Sequence, residues 1–292
     1  MVSVGNLAVG GRGKTPMTAC IARMLIEMGE RPSILSRGYA RRDRRDGVVI
    51  VRDSEGVRAD LDRAGDEPLM LARQLPGVSV LTCADRYLAG RVAEHHLGCT
   101  VHVLDDGFQH LQLDRDVDLL IVARDDIARP QTLPSGRLRE PLDTLIAADA
   151  ILAADDNVVV EPVEAAPPIF HIRRHRLAAP DDSEGVAALA GIAKPARFFD
   201  DLRTAGWALT DTMTFSDHHS YSARDLQRIV QRARAAGARR IVTTEKDFVR
   251  LLRFRPFPLP IVSVPLRVEP QPIEPFRDWL SSAIRSARDL HE

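Results

Sequence analysis

The stretch Ala8-Val9-Gly10-Gly11-Arg12-Gly13-Lys14-Thr15 constrains this chain more than any other. Gly10, Gly11 and Gly13 let the backbone turn its N–H groups inward, and Lys14 and Thr15 follow where a helix begins. The strict phosphate-loop pattern is G-x-x-x-x-G-K-[ST]; Ala8 stands in place of the first glycine and the other required positions are met. A short strand at Val2 to Val4 precedes the loop and a helix follows it, which is the context such a loop needs. Residues Ala8, Val9, Gly10, Gly11, Arg12, Gly13, Lys14 and Thr15 are therefore expected to hold a nucleotide. Lys14 would supply charge at the β and γ phosphates and Thr15 a hydroxyl to Mg2+. Pro16 fits the helix start, where a backbone N–H is not missed.

Around this loop the pattern alternates strand and helix. Cys20, Ile21, Met24, Leu25 and Met28 recur at helical spacing and stop at Gly29. Strands are predicted at Ser33 to Leu35, Val48 to Val51, Val78 to Leu81, Thr100 to Leu104, Leu119 to Val122 and Ala150 to Ala153, and helices at Leu69 to Leu75 and Leu88 to His96. Such alternation implies a parallel sheet covered by helices, here a P-loop NTPase-like α/β domain over residues 1–156. Residues 157–180 carry four prolines and read as a linker with a β-hairpin. Beyond it, strands at Val186 to Ala190, Trp207 to Met213, Arg240 to Thr243 and Ile261 to Val264 and helices at Pro195 to Ala205 and Ala223 to Ala236 form a smaller α/β domain. It is assigned residues 181–292, C-terminal helix included.

The second half of a nucleotide site lies in "TVHVLDDGFQH", an apolar strand that delivers Asp105 and Asp106 at its carboxyl end. One carboxylate there can complete a Mg2+ shell, and a second can polarise water or a substrate group. In "RAGDEPLML", Asp66 precedes a helix opened by Pro68, where it can cap the helix, act as a base, or do both. "FSDHHSYSARDL" carries His218 and His219, with Ser222 and Asp225 at capping-box spacing. Adjacent histidines do not converge on one metal ion as i, i+4 pairs do. "SRGYARRDRRD" holds Arg37, Arg41, Arg42, Arg44 and Arg45, which either grip phosphate or face water, and "LPSGRLREP" ends in Arg139 and Glu140.

Lys and Arg number 40 against 41 Asp and Glu, so no global field recruits nucleic acid, and the arginines lack interleaved aromatics. Cys20, Cys83 and Cys99 have no C-x-x-C spacing and read as reduced, buried thiols of a cytoplasmic protein. No apolar run reaches the roughly 18 residues that span a bilayer.

In order, "VGNLAVGGRGKTP", "SRGYARR", "GDEP", "DDGFQH", "LPSGRLREP", "GIAKPARFF", "FSDHHSYS" and "TTEKD" resemble the motif series of the tetraacyldisaccharide 4'-kinases, the lipid A kinases of Gram-negative bacteria. The resemblance covers nearly the whole chain. It implies transfer of the ATP γ-phosphate to the 4'-hydroxyl of a glucosamine disaccharide lipid carrying a 1-phosphate. It also implies two α/β domains joined by a hairpin, with the active site in the cleft between them. By the same resemblance Lys14 serves the phosphates, and Asp66 takes the sugar hydroxyl proton with a histidine of "DHH" as partner. His218 is favoured over His219, and the choice stays open in the sequence. Thr15, Asp105, Asp106 and Glu140 fall to the metal, and Arg37, Arg41, Arg139 and His219 to the lipid substrate. A monomer on the cytoplasmic face of the inner membrane is expected. Family members carry some tens of residues before the phosphate-loop strand, including a helix at the membrane. Here that strand begins at Val2, so a chain without that helix is expected, through a late start or a truncation.

Two other readings have less support. Partitioning ATPases share Gly-Gly-x-Gly-Lys-Thr but carry a lysine where this chain has Val9, and a GTPase needs an N-K-x-D stretch for which "TTEKD" is a poor substitute.

Overall fold

The structure, a computed structural model, describes residues 1–39, 41, 43, 47–155, 167–175, 179 and 184–290. It divides into two compact units: residues 1–174 with 268–292, and residues 175–267.

The first unit is built on a ten-stranded sheet. In chain order its strands are β1 (Val2–Asn6), β2 (Pro32–Ser36), β3 (Val49–Asp53), β4 (Gly56–Val57), β5 (Ser79–Thr82), β6 (Val101–Asp105), β7 (Val117–Val122), β8 (Ala150–Ala153), β9 (Ile169–Arg174) and, after the second unit, β14 (Val268–Gln271). Their spatial order is β14-β9-β8-β7-β1-β6-β2-β5-β3-β4. The seven strands from β9 to β5 pair in parallel. Both edges are antiparallel, through β3 and β4 at one end and β14 at the other. Buried on both faces, β1, β2, β6, β7 and β8 are the near-continuous apolar runs expected inside a parallel sheet.

Helix α1 (Lys14–Glu27) follows β1; α2 (Leu61–Ala64) and α3 (Asp66–Gln74) lead into β5, and α4 (Arg86–Leu97) leads into β6. The short α5 (Arg124–Ala128) follows β7. The predicted apolar stripe of α1 is buried at Cys20, Ile21, Met24 and Leu25. Leu7 and Ala8 join a buried cluster with Phe108, Leu120, Val122 and Leu138, which fixes the start of the glycine loop against the sheet.

The second unit has a four-stranded parallel sheet. Its strands β10 (Val186–Ala190), β11 (Leu209–Thr214), β12 (Arg240–Thr244) and β13 (Ile261–Val264) lie in the order β11-β10-β12-β13. Helices α6 (Pro195–Thr204), α7 (Ala223–Ala235) and α8 (Glu245–Leu251) connect them. The predicted capping box starts α7: Ser222 Oγ accepts from Asp225 N at 3.1 Å, and Asp225 Oδ2 accepts from Ser222 N at 3.0 Å.

The C-terminal helix differs from the sequence expectation. Helix α9 (Ile273–Asp289) belongs to the first unit and not to the second. The cause is local. Strand β14 pairs antiparallel with β9, and Phe276 of α9 packs edge-on against Phe170 of β9 with ring centroids 4.9 Å apart. Arg288 of α9 also donates to Glu30 at 2.8 Å. The antiparallel partner of β9 is thus a strand almost a hundred residues onward, while β8 pairs with it in parallel on the other side. Residues 157–166, 176–178 and 180 of the expected linker, and with them its hairpin, lie outside the described residues.

Gly5 has a steric role: a Cβ there would overlap the Cβ of Phe108. Gly5→Ala should destabilise the protein by about 1–3 kcal/mol through overpacking, measured as a lower urea midpoint.

Candidate nucleotide site at the carboxyl end of the central strand

Strand β1 runs between β6 and β7, so its carboxyl end stands beside the end of β6. The chain turns there into the glycine loop. Gly10 and Gly13 have φ of 102° and 92°, a region closed to most side chains, and Gly13 occupies the cap position of α1. Ala8 forms an antiparallel bridge with Leu138 and has no positive φ, so alanine serves where the strict pattern has glycine. A second segment, residues 131–139, clamps the loop from above. Val9 N donates to Arg137 O at 2.8 Å, Arg137 Nη2 returns a bond to Val9 O at 3.0 Å, and Arg139 N donates to Leu7 O at 2.6 Å. Arg12 pairs with Asp126 of α5, so its side chain anchors the loop to the body of the unit.

Asn6, the last residue of β1, is fully buried. Its Oδ1 accepts from Lys14 Nζ at 2.7 Å and from Arg139 Nη2 at 2.8 Å, and its Nδ2 donates to Ala8 O at 2.6 Å. Arg139 also donates to Asp106 Oδ1 at 2.9 Å, and Lys14 Nζ lies 3.5 Å from the same carboxylate. One amide therefore gathers the two cations and orients them beside Asp106.

The neighbouring carboxylates sit in opposite environments. Asp105 is 7% exposed; Thr18 Oγ1 donates to it at 3.1 Å, and Thr15 Oγ1 lies 3.4 Å from its other oxygen. Burial first, and the negative charge of Glu67 second, push its pKa up to about 7, against the pull of Lys14. For Asp106, burial alone would raise the pKa, but the hydrogen bond from Arg139 and the charge of Lys14 outweigh it and hold the group below the ordinary carboxylate range. Asp106 has φ of 58°, a left-handed backbone at the turn that aims its side chain.

Asp66 is 5% exposed and begins α3. The sequence suggests a cap, but Gly65 takes that position with φ of 85°, and Asp66 Oδ1 accepts from Glu67 N at 2.9 Å. Gly65 is required there, because a Cβ would stand 2.8 Å from Tyr39 O. Arg37 is exposed and Arg41 half-buried; the Nη1 of Arg41 has no hydrogen-bond partner among the described residues. Arg42, Arg44 and Arg45 lie outside the described residues. Glu140 follows Arg139 and is half-buried. Among the described residues no three His, Cys, Asp or Glu side chains form a group able to hold a metal by themselves. A Mg2+ that takes most of its ligands from phosphate and water needs only a hydroxyl and one or two carboxylates, and Thr15 with Asp105 is such a pair.

His218 and His219 belong to the second unit. His219 Nε2 lies 3.3 Å from Asp225 Oδ2, and its ring packs against Phe215 and Tyr221 at 4.7 and 4.9 Å, so it is tied into the start of α7. His218, with φ of 56°, has Lys246 Nζ 3.2 Å from its Nε2.

Several site residues escaped sequence reasoning. Asn6 lies in "VGNLAVGGRGKTP" and has no sequence signal of its own. Glu67 acts on Asp105 from the position after Asp66, a spacing readable as two carboxylates at one helix start. Arg86 is buried, donates to Ala84 O at 2.7 Å, and has its pKa lowered by burial and by Arg37, against the pull of Asp106. Its only sequence signal is an arginine opening a helix after Asp85.

A model of the tetraacyldisaccharide-1-P 4'-kinase family matches residues 1–285. The tetraacyldisaccharide 4'-kinase of Koribacter versatilis is 41% identical over 260 residues, covering 86% of this chain and 78% of that protein. The Desulfatibacillum aliphaticivorans enzyme of the same name is 34% identical over 311 residues, covering 98% and 83%. A crystal structure described as an "apo" form of LpxK from Aquifex aeolicus in complex with ATP superposes with a TM-score of 0.79 at 30% identity, covering 97% of this chain and 87% of that one.

The raised pKa of Asp105 sets a pH dependence. Between pH 4 and about 7 the unfolded chain gives up this proton before the folded one does, so the group lowers stability progressively across that window. Asp105→Asn should therefore raise the melting temperature of the ligand-free protein at pH 8 and change it little at pH 4, followed by calorimetry.

Proposed function

Because the chain belongs to the tetraacyldisaccharide-1-P 4'-kinase family, we propose how its site residues divide the work of phosphoryl transfer. The activity is ATP-dependent transfer of the γ-phosphate to the 4'-hydroxyl of a tetraacylated glucosamine disaccharide 1-phosphate, a step of lipid A biosynthesis. The observation that carries the division of roles is the gathering of Lys14, Thr15, Asp105, Asp106 and Arg139 at the adjoining ends of β1 and β6.

Phosphoryl transfer asks the protein mainly for positioning and charge neutralisation. The amides of Gly10 to Thr15 are proposed to cradle the phosphates, with Lys14 at the outermost ones. Lys14 is already oriented by Asn6, so little ordering remains when a phosphate arrives. Mg2+ is assigned to Thr15 and Asp105, with Asp106 and Glu140 as further carboxylates of the same motifs. Bound there, it would neutralise charge on the phosphate oxygens and favour the ionised form of Asp105.

Asp66 is assigned as the base that takes the proton of the 4'-hydroxyl, and His218 as its partner. Burial of Asp66 at the first residue of α3 holds its carboxylate on a rigid element. Arg37, Arg41, Arg139 and His219 are assigned to the lipid. The exposed Arg37 and the unmatched donor of Arg41 suit its 1-phosphate. Among the described residues no helix is long and apolar enough to cross a membrane. Work as a monomer at the cytoplasmic face of the inner membrane is proposed from the nature of the substrate.

The direct test is incubation with γ-labelled ATP, Mg2+ and the disaccharide 1-phosphate lipid in detergent. Label is expected in the lipid; label released only as inorganic phosphate would contradict the assignment. Asp66→Ala should abolish transfer and keep nucleotide binding, and wild-type turnover in that variant would remove Asp66 from the reaction. Arg41→Ser should raise KM for the lipid and leave KM for ATP unchanged.

A further inference from the structure

The stretch "TTEKD" has no part in the roles above, yet among the described residues of the second unit it carries the most buried charge. Asp247, in the first turn of α8, is wholly buried. Its Oδ2 accepts from Gly191 N at 2.9 Å and Thr244 Oγ1 at 2.7 Å, and its Oδ1 from Tyr221 Oη at 2.9 Å and Arg250 Nη1 at 3.1 Å. A carboxylate removed from water requires such saturation. Burial, and then Asp247, push the Tyr221 hydroxyl far above its ordinary pKa, so it stays a donor. Gly191 admits no side chain: a Cβ would stand 2.8 Å from Asp247 Oδ1 and 2.9 Å from Tyr221 Oη.

Arg250 carries this anchorage outward. Its Nη1 also donates to Gly191 O at 3.0 Å, and its Nη2 lies 3.4 Å from His218 Nδ1. Lys246 Nζ meets the other ring nitrogen, Nε2, at 3.2 Å, and lies 3.9 Å from Asp217 Oδ1. Asp217 Oδ1 in turn accepts from His218 N at 2.9 Å. The left-handed backbone of His218 is uncommon for a residue with a side chain and persists where its surroundings over-determine it.

We propose that Arg250, fixed by Asp247, and Lys246 are positioning residues that aim the His218 ring for phosphoryl transfer. The inference rests on the role assigned to His218 above. Both cations only donate, and a neutral imidazole offers one acceptor nitrogen. Arg250 at Nδ1 and Lys246 at Nε2 thus stand at opposite edges of the ring, and each tautomer lets one of them donate to it. Gly191, Tyr221 and Asp247 come from "GIAKP", "FSDHHSYS" and "TTEKD", so one buried network accounts for three motifs that are far apart in the chain.

The test is a double-variant cycle on the full chain, with transfer of label from ATP to the lipid as readout. Arg250→Met should lower kcat about tenfold, a fraction of what a general-base system supplies, and leave KM for ATP within about twofold. Arg250→Lys should recover part of the loss. In the His218→Ala background Arg250→Met should cost nothing further, because its effect runs through that ring. Multiplying losses in the double variant would mean a structural role and overturn the proposal. Should thermal melting show that Arg250→Met does not fold, Lys246→Met is read in the same cycle with the same expectation. Wild-type turnover in His218→Ala would instead overturn the role of His218 itself. An impaired His218→Ala with normal Arg250→Met and Lys246→Met would overturn the positioning proposal alone.

Discussion

The buried amide of Asn6 is the contact on which the nucleotide site depends. It stands where β1 ends and holds Lys14, Arg139 and the loop carbonyl of Ala8 at once. An interior amide is costly unless its hydrogen-bonding capacity is used, and here it is used to bring two cations together. Like charges at close range need a counter-charge, and Asp106 lies 2.9 Å from Arg139 and 3.5 Å from Lys14. The two cations beside the loop are thus held in place and compensated from within the protein.

The order of the sheet makes this arrangement available. Because β6 lies beside β1, Asp105 and Asp106 end next to the glycine loop although about ninety residues separate them in the chain. The two adjacent carboxylates then take opposite characters. Asp105 is buried against Thr18 and near Glu67, while Asp106 turns toward Arg139 and Lys14. Pairs of acids pushed apart in this way recur where one must receive a cation or proton and the other must stay ionised. Thr15 Oγ1 lies 3.4 Å from Asp105, the acid of the pair whose pKa burial pushes up.

Much of this was legible in the sequence. The glycine loop, the alternation of strands and helices, and the placing of Asp105 and Asp106 at a strand end follow from local pattern, and the structure has each of them. What local pattern could not supply was partnership across the chain. Phe276, Leu280 and Ile284 are the buried stripe of α9, but nothing in their spacing says that Phe170 of the first unit receives Phe276. Asn6 is one polar residue at the end of an apolar strand, and its value depends on Arg139, distant in sequence. His218 and His219 are indistinguishable as neighbours in a string. The structure separates them by what surrounds each ring: Asp225, Phe215 and Tyr221 for one, Lys246 and Arg250 for the other.

If backbone amides at the start of α1 grip the phosphate chain with Lys14 on its outermost group, affinity should depend on phosphate number through that one side chain. Calorimetric titration of ATP, ADP and AMP into the wild type and Lys14→Ala, in the presence of Mg2+, reads this directly. ATP binding should weaken by about tenfold or more, ADP less and AMP not at all, as for loss of one charge-assisted contact at the end of the chain. An equal loss for all three nucleotides, or none for ATP, would contradict the placement of the γ-phosphate at Lys14.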